Sequence, residues 1–330
     1  MKRFSSLDEL YVNTLSDTYF NYSHINSPRG FLERENIGFK ATITHPQQRY
    51  CLNKARMQNI VFCYAEALWY LSGDNDLAFI SHYAPSMRKY SADGKTLPGT
   101  GYGKRLLAFG ENNLDQIERA IDVLHSDDPN SKRVFLQIFD ASENIYKDNI
   151  DVSCTIGLQL LLRGGKLHVV GMMRANDAYV GLLSDIFSFT FIQEYIAVRL
   201  GAELGEYHHM VGSIHTYDQN DEKINKVLAN RDSHTPPAKW PTMSRDTTRE
   251  TIEQVLLLEK EIRLNNRTFS CEALTELGLS QYWIEIVILF EIYQQIKQQQ
   301  PVDMEKLGVL HATRRQLVHN KWLAQFAVAE

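Results

Sequence analysis

Cys154 sits between Ser153 and Thr155 where an alternating apolar run begins, and Arg174 closes a second run that follows a glycine pair. Residues 155–162 and 167–174 read as two strands around the turn Arg163-Gly164-Gly165-Lys166. If the turn centres between Gly164 and Gly165, paired residue numbers sum to about 329, which sets Cys154 across from Ala175 and next to Arg174. A thiol beside a guanidinium has a lowered pKa and more thiolate at neutral pH, so Cys154 is a candidate covalent nucleophile. The competing reading of a lone cysteine is a small buried apolar residue, and that is the reading for Cys51, Cys63 and Cys271.

Two acids also stand out. Glu66 falls inside an otherwise apolar helix pattern, where a carboxylate is costly without a partner; it is either a rim position paired with a base or a proton-handling group. Asp185 opens the apolar run 185–200 and reads as a helix N-cap there. Phosphate would need fixed cations, and Arg suits phosphate bidentately where Lys acts as a point charge. Arg29, Arg34, Lys132, Arg133 and Arg174 are the candidates, each with solvated surface charge as its alternative.

The elements that must position these groups form an α+β pattern with strands mainly before residue 220. Residues 54–72 read as a buried helix, 94–105 as an ordered glycine-rich loop, 114–125 as an amphipathic helix and 133–139 as a strand. Residues 185–200 read as a long central helix. Beyond about residue 245, after Pro236, Pro237 and Pro241, helical stripes cover 247–264, 281–298 and 311–327. We expect one domain over 1–330, with a helical C-terminal extension from about 245 packed on it.

The 330 residues carry 44% hydrophobic and 23% charged side chains, ordinary for a soluble globular protein. A net charge of −5 gives no general field for nucleic acid, so any phosphate site must be a local cluster. Four cysteines without a CxxC pair suggest neither a metal site nor a disulfide framework; reduced thiols in a cytoplasmic setting fit better. The N-terminus lacks an apolar signal core, and no apolar run approaches a membrane span.

Six segments in register, over about half the chain, resemble the thymidylate synthase superfamily. EALWYLSGDNDLAFI (66–80) is similar to its E-L-L-W-F-L-x-G-x-T-N helix, GTGYGKR (99–105) to G-x-V-Y-G-x-x-W-R, and DPNSKR (128–133) to D-P-x-S-R-R. SCT (153–155) stands where the family has P-C-H. RANDAYVGLLSDIFSF (174–189) resembles R-S-x-D-x-x-L-G-x-P-F-N-I-A-x-Y, and GSIHTY (212–217) resembles G-D-x-H-x-Y. The last third does not resemble the synthases, and the family's apolar folate-closing tail is not recognisable in QFAVAE.

The resemblance implies roles. Cys154 attacks C6 of a pyrimidine nucleotide, which gives C5 carbanion character, and C5 takes the one-carbon unit of 5,10-methylenetetrahydrofolate. Glu66 manages protons and water, and Tyr102 helps position the reacting centre. Arg174 and Arg29 (or Arg34) hold phosphate, with Lys132 and Arg133 reaching across a homodimer interface. His215 and Tyr217 bind the sugar 3′-hydroxyl, while Asp177, Gly181 and Glu66 serve folate. No metal, nucleic acid or membrane is implied.

Departures from the family pattern redirect the expected activity. Asp185 replaces the base-reading Asn, the mark of the cytidylate hydroxymethylase branch. Met87 aligns with a tryptophan that shields the intermediate from water, so its loss favours hydration. Ala175 and Lys132 replace a Ser and an Arg, as in the CMP hydroxymethylases of nucleoside-antibiotic pathways. Thr155 and Met173 replace a His and a Gln that a synthase uses. The expected activity is hydroxymethylation of CMP at C5. The alternatives are the same reaction on dCMP, a dTMP-type synthase, and a non-catalytic nucleotide- or RNA-binding relative.

Overall fold

The computed structural model describes residues 2–145, 148–231 and 236–323. In chain order the elements are β1 (Lys2–Phe4), α1 (Leu7–Phe20), β2 (His24–Asn26), β3 (Glu33–Ile43), α2 (Ile60–Leu71), α3 (Leu77–Tyr83), α4 (Tyr102–Leu107), α5 (Gln116–Asp122) and β4 (Phe135–Gln137). They continue with β5 (Thr155–Arg163), β6 (Lys166–Asp177), α6 (Gly181–Arg199), β7 (Glu203–Tyr217), α7 (Asp221–Ala229), α8 (Arg249–Arg263), α9 (Cys271–Glu276), α10 (Gln281–Lys297), α11 (Met304–Val309) and α12 (Ala312–Val318). One mixed seven-stranded sheet runs β1-β3-β7-β6-β5-β4, with β2 paired to β3. The expected α+β class holds, with a long buried helix and helices after residue 245.

Strands β6 and β7 are parallel neighbours joined through α6. Parallel neighbours need such a crossover, and it lays α6 across one face of the sheet. Every residue from Ile186 to Ala197 is buried, so the run shows no solvent-facing stripe, and its polar members are paired inside, Glu194 with Arg49 and Ser188 with Glu66. Helix α2 is likewise buried nearly throughout and lies against α6, where Tyr64 meets Phe187 and Phe191 edge to face. The opposite face of the sheet carries half-exposed Phe135 and Ile156.

Several boundaries differ from the sequence reading. The 54–72 helix starts only at Ile60, where the Asn59 side chain accepts the Phe62 N–H, and Met57 before it takes a left-handed backbone with φ 47°. Helix α6 starts at Gly181, so Asp185 lies inside its second turn and is not an N-cap. Residues 94–105 turn helical from Tyr102, and the 114–125 helix begins at Gln116, capped by Asp115. Strand 133–139 shrinks to Phe135–Gln137, and the 311–327 stripe gives α12 and a π-turn at His319–Leu323. Residues 324–330, with the QFAVAE tail, lie outside the described residues.

The hairpin register departs at one residue. Pairing follows the expected sum from Arg163↔Lys166 to Gly157↔Met172, then a bulge at Ile156 brings Thr155 opposite Met173. Cys154 therefore faces Arg174 rather than Ala175, and the Arg174 N–H donates to the Cys154 carbonyl at 2.8 Å. In β7 the inward positions step from Tyr207, His209 and Val211 to Ile214 and Thr216. The step lies across from Gly38, whose φ of 74° suits only glycine, and the β3–β7 pairing skips that residue.

The helices after residue 245 share the core of the sheet layer. Trp283 packs edge-on to Phe191 and donates to the Thr247 hydroxyl at 2.8 Å. Fully buried Arg314 pairs with Glu285 at 2.8 Å, donates to the Tyr64 hydroxyl at 2.9 Å and lies over the Tyr282 ring. Removing one member of a buried pair strands the other's charge, whereas replacing both removes the desolvation cost too. Arg314→Met should therefore lower stability by about 3 kcal/mol or more. The double variant Arg314→Met/Glu285→Leu should lose less, and chemical denaturation in which the double variant is the weaker protein would exclude this account.

Candidate active site

The thiol is delivered by a pinned segment just before β5. Gly99 N–H donates to Asp151 Oδ2 at 2.8 Å, and the Ser153 hydroxyl donates to the Gly99 carbonyl at 2.7 Å. Glu143 takes the Ser153 N–H at 2.7 Å and is itself held by Arg105 at 3.0 Å. A Cβ on Gly99 would stand 1.8 Å from the Asp151 carbonyl oxygen, so only glycine permits this approach. The glycine-rich loop and the SCT segment are thus one clamp. Asp151, Ser153 and Glu143 were not singled out in the sequence, where isolated polar residues in loops carry no pattern.

Arg174 is fixed by the same segment. Its Nε donates to the Ser153 carbonyl at 2.9 Å and its Nη2 to the Val152 carbonyl at 3.0 Å, with Nη2 3.7 Å from the Cys154 sulfur. The guanidinium stays exposed while the thiol is half-buried. The net effect on the thiol is upward, contrary to the sequence expectation. Burial raises its pKa, Arg174 pulls it down, Asp185 raises it and Arg29 lowers it. The cation limits the penalty of burial and does not overcome it.

Two carboxyls lie deeper. Burial pushes Glu66 up to about 8, with Asp185 adding repulsion, while hydrogen bonds from Ser188 and Tyr70 oppose the rise. The Ser188 hydroxyl reaches Glu66 at 3.0 Å. Burial likewise pushes Asp185 up to about 7, against a hydrogen bond from Asn176 and helped by nearby Asp177. The Asn176 amide donates to Asp185 Oδ2 at 2.7 Å, and its oxygen faces His209 Nε2 at 3.1 Å. His209 Nδ1 lies 3.0 Å from the Tyr207 hydroxyl, and burial drives His209 down to about 3, so the ring is neutral. A neutral ring that accepts from Tyr207 donates through Nε2, which orients the Asn176 amide. Gly181 completes the arrangement, since a Cβ there would crowd both Asn176 Nδ2 and Asp185 Oδ2 at 3.1 Å.

The remaining candidates divide. Tyr102 is buried, stacks on Tyr70 and takes, at 3.1 Å, the hydroxyl bond of Thr155, next to Cys154 in sequence. Arg29 is exposed, has a left-handed φ of 56°, and its charge acts on both Tyr217 and Cys154. Arg34 is spent on a bidentate pair with Asp221 at 2.7 and 2.9 Å, which favours Arg29 of the two. His215 and Tyr217 lie together with rings 5.0 Å apart, beside buried Glu33. Asp177 Oδ1 accepts the Tyr179 and Val180 N–H groups at 2.8 and 3.0 Å, leaving its other oxygen for ligand donors. Ala175 is half-buried opposite Ser213, and Met87 is half-buried in a 3₁₀ turn at Pro85–Tyr90. Lys132 and Arg133 do not join the site. Extending the β4–β5 pairing puts them beside Leu161 and Leu162, about 23 Å along β5 from Cys154.

His168, Glu206 and His208 have spacing that could hold a metal ion. However, His168 Nδ1 accepts the Glu206 N–H at 3.1 Å, which leaves the proton on Nε2, and Glu206 is bonded by Arg3. The cluster reads as a polar network.

Two consequences are measurable. Iodoacetamide labelling of Cys154, followed by peptide mass spectrometry, should still accelerate above pH 9, and Arg174→Ala should slow it at every pH below the plateau. A plateau near pH 7 would contradict the upward shift. Glu66 keeps its proton more tightly folded than unfolded, so it favours folding below the unfolded value of about 4.5, and that contribution is lost as pH rises toward about 8. Glu66→Gln should thus gain stability over the parent at pH 8 by on the order of 1 kcal/mol or more and show little difference at pH 4. Equal shifts at both pH values would contradict it.

Comparison with known proteins places this arrangement. A deoxyuridylate hydroxymethyltransferase of Bacillus phage SP01 is 30% identical over 231 residues, 67% of this chain and 60% of that protein. One from Delftia phage PhiW-14 is 28% identical over 227 residues, 65% of this chain and 62% of the phage protein. The thymidylate synthase of Francisella philomiragia is 25% identical over 204 residues, 58% of this chain and 74% of that enzyme. The chain thus spans about 60% of the length of the two phage relatives. The thymidylate synthase family model matches residues 29–265, and the chain belongs to the thymidylate synthase family.

Proposed function

We propose that this chain hydroxymethylates a pyrimidine nucleotide at C5 and that its substrate is CMP. The observation that carries the choice of base is Asp185, a carboxyl pushed up to about 7 with one oxygen taken by Asn176. In its neutral form it offers an O–H to cytosine N3 and a carbonyl lone pair to the N4 amine. Uracil presents N3–H and O4, for which an amide is the better match. The orientation of Asn176 by His209 leaves Asp185 no easy way to reverse these roles.

Cys154 bonds to C6, which renders C5 nucleophilic. Arg174 and Arg29 hold the phosphate near the sulfur. Glu66, with a pKa near neutrality, moves the proton at C5 and orders water beside it. Tyr102 fixes Thr155 next to the thiol. 5,10-Methylenetetrahydrofolate supplies the carbon at the formaldehyde oxidation level. Asp177, with one oxygen left for N–H donors, and Gly181 at the start of α6 fit such a co-substrate, and Glu66 borders it.

We further propose a cytoplasmic homodimer formed by one domain over 1–330, with the helices after about 245 packed on it as an extension. The distance of Lys132 and Arg133 from their own Cys154 and the apolar side chains on the uncovered sheet face support a partner that receives these cations. No helix among the described residues is long and apolar enough to cross a membrane.

The names of the phage relatives favour a second reading, in which the substrate is deoxyuridylate. One assay separates them. The protein is incubated with formaldehyde, tetrahydrofolate and CMP, dCMP, UMP or dUMP, and products are weighed. We expect a gain of CH2O on CMP, loss of turnover in Cys154→Ser, and a shift toward uracil nucleotides in Asp185→Asn. Net methylation with dihydrofolate formation would instead indicate a synthase. Turnover of dUMP alone would exclude the cytosine assignment, and nucleotide binding without any product would indicate an idle relative.

A further inference from the structure

Glu33 opens β3 directly opposite Tyr217 in β7, so its side chain shares the face that carries His215 and Tyr217. It is 4% exposed, and its Oε2 has no hydrogen-bond partner among the described residues. The nearest cationic candidate, His215 Nε2, stands 3.8 Å away, beyond hydrogen-bond length. His215 is 7% exposed, and its Nδ1 also lacks a partner. The Arg29 charge acts on both Tyr217 and the Cys154 thiol. Two buried polar atoms without partners close together are costly, because each has lost its water without gaining a hydrogen bond. A ligand that donates to the carboxylate and bonds the imidazole would remove both penalties.

A ribose supplies two adjacent hydroxyls, and a carboxylate beside an imidazole and a phenol can satisfy both. A deoxyribose supplies one. We propose that Glu33 determines the sugar by accepting the 2′-hydroxyl of a ribonucleotide while His215 and Tyr217 hold the 3′-hydroxyl. This rests on the CMP reading of the site and names the residue that selects its ribose. Neighbouring Glu35 is not available for the task, because Asn26 donates to its Oε2 at 2.7 Å and the Ser213 hydroxyl to its Oε1. Ala175, paired with Ser213, lies on the same face with only a methyl side chain.

The test compares the parent, Glu33→Gln and Glu33→Ala on each ribo/deoxyribo pair, CMP against dCMP and UMP against dUMP. It reads kcat/KM, together with dissociation constants from calorimetry without folate. The parent should prefer the ribonucleotide of whichever base it accepts. Glu33→Ala should weaken that ribonucleotide about tenfold or more and alter the deoxynucleotide far less, because only one hydrogen bond to a charged group is lost. Glu33→Gln keeps an acceptor and should fall between. Circular dichroism and melting of each variant identify misfolding, and Gln, of equal size, serves if Ala unfolds. Equal losses on both sugars, or a parent that prefers the deoxynucleotide, would overturn the proposal. Preference for uracil with ribose selection intact would overturn the base assignment alone. Absence of binding by all four nucleotides would overturn both.

Discussion

A half-buried sulfur beside a guanidinium whose position is dictated by backbone carbonyls is the constraint on which the site depends. Arg174 cannot swing to neutralise the thiol more fully, because Val152 and Ser153 hold two of its N–H groups. Those carbonyls stay in place because Asp151, Ser153 and Glu143 lash the segment to Gly99 and Arg105. The price of this rigidity is a thiol less acidic than an exposed one would be beside the same cation. What is gained is a sulfur and a charge at constant separation, with the Arg29 charge also acting on the sulfur.

The two inward carboxyls follow from the same enclosure. Glu66 and Asp185 sit in one low-dielectric space and repel each other, so neither is firmly ionised at neutral pH. Their surroundings differ, however. Glu66 meets hydroxyls that can rotate, whereas Asp185 meets an amide locked by a neutral histidine. The first environment suits a group that exchanges protons, and the second a group that keeps a fixed pattern of donor and acceptor.

The sequence made the candidate residues more legible than their relations. Cys154, Arg174, Tyr102 and Glu66 were marked by turn chemistry, by charge in apolar surroundings and by motif resemblance. The bulge at Ile156 was not, because one extra residue in a strand leaves alternation almost unchanged while moving the partner of Cys154 by one position. The sign of the thiol shift depended on burial, which neighbouring residues in sequence do not report. Asn176 and His209 look like ordinary polar residues in strands, and their link crosses a phase change that hides the inward face of β7. The choice between Arg29 and Arg34 turned on Asp221, far away along the chain. Asp185 read as a cap because the true start of α6 lies in a Val-Gly step without a capping side chain.

The bond between Arg314 and Tyr64 has an evolutionary corollary. Tyr64 stands on the same helix as Glu66, so the last described helices brace the scaffold of that buried carboxyl rather than decorating the surface. A lineage carrying this arrangement could not discard or exchange those helices piecemeal, since each intermediate ancestor would leave Glu285 or the Tyr50–Tyr64 hydroxyl pair without its cation. Such a region is inherited as a block, and its divergence should be limited at Arg314, Glu285 and Tyr64 while its solvent-facing positions drift.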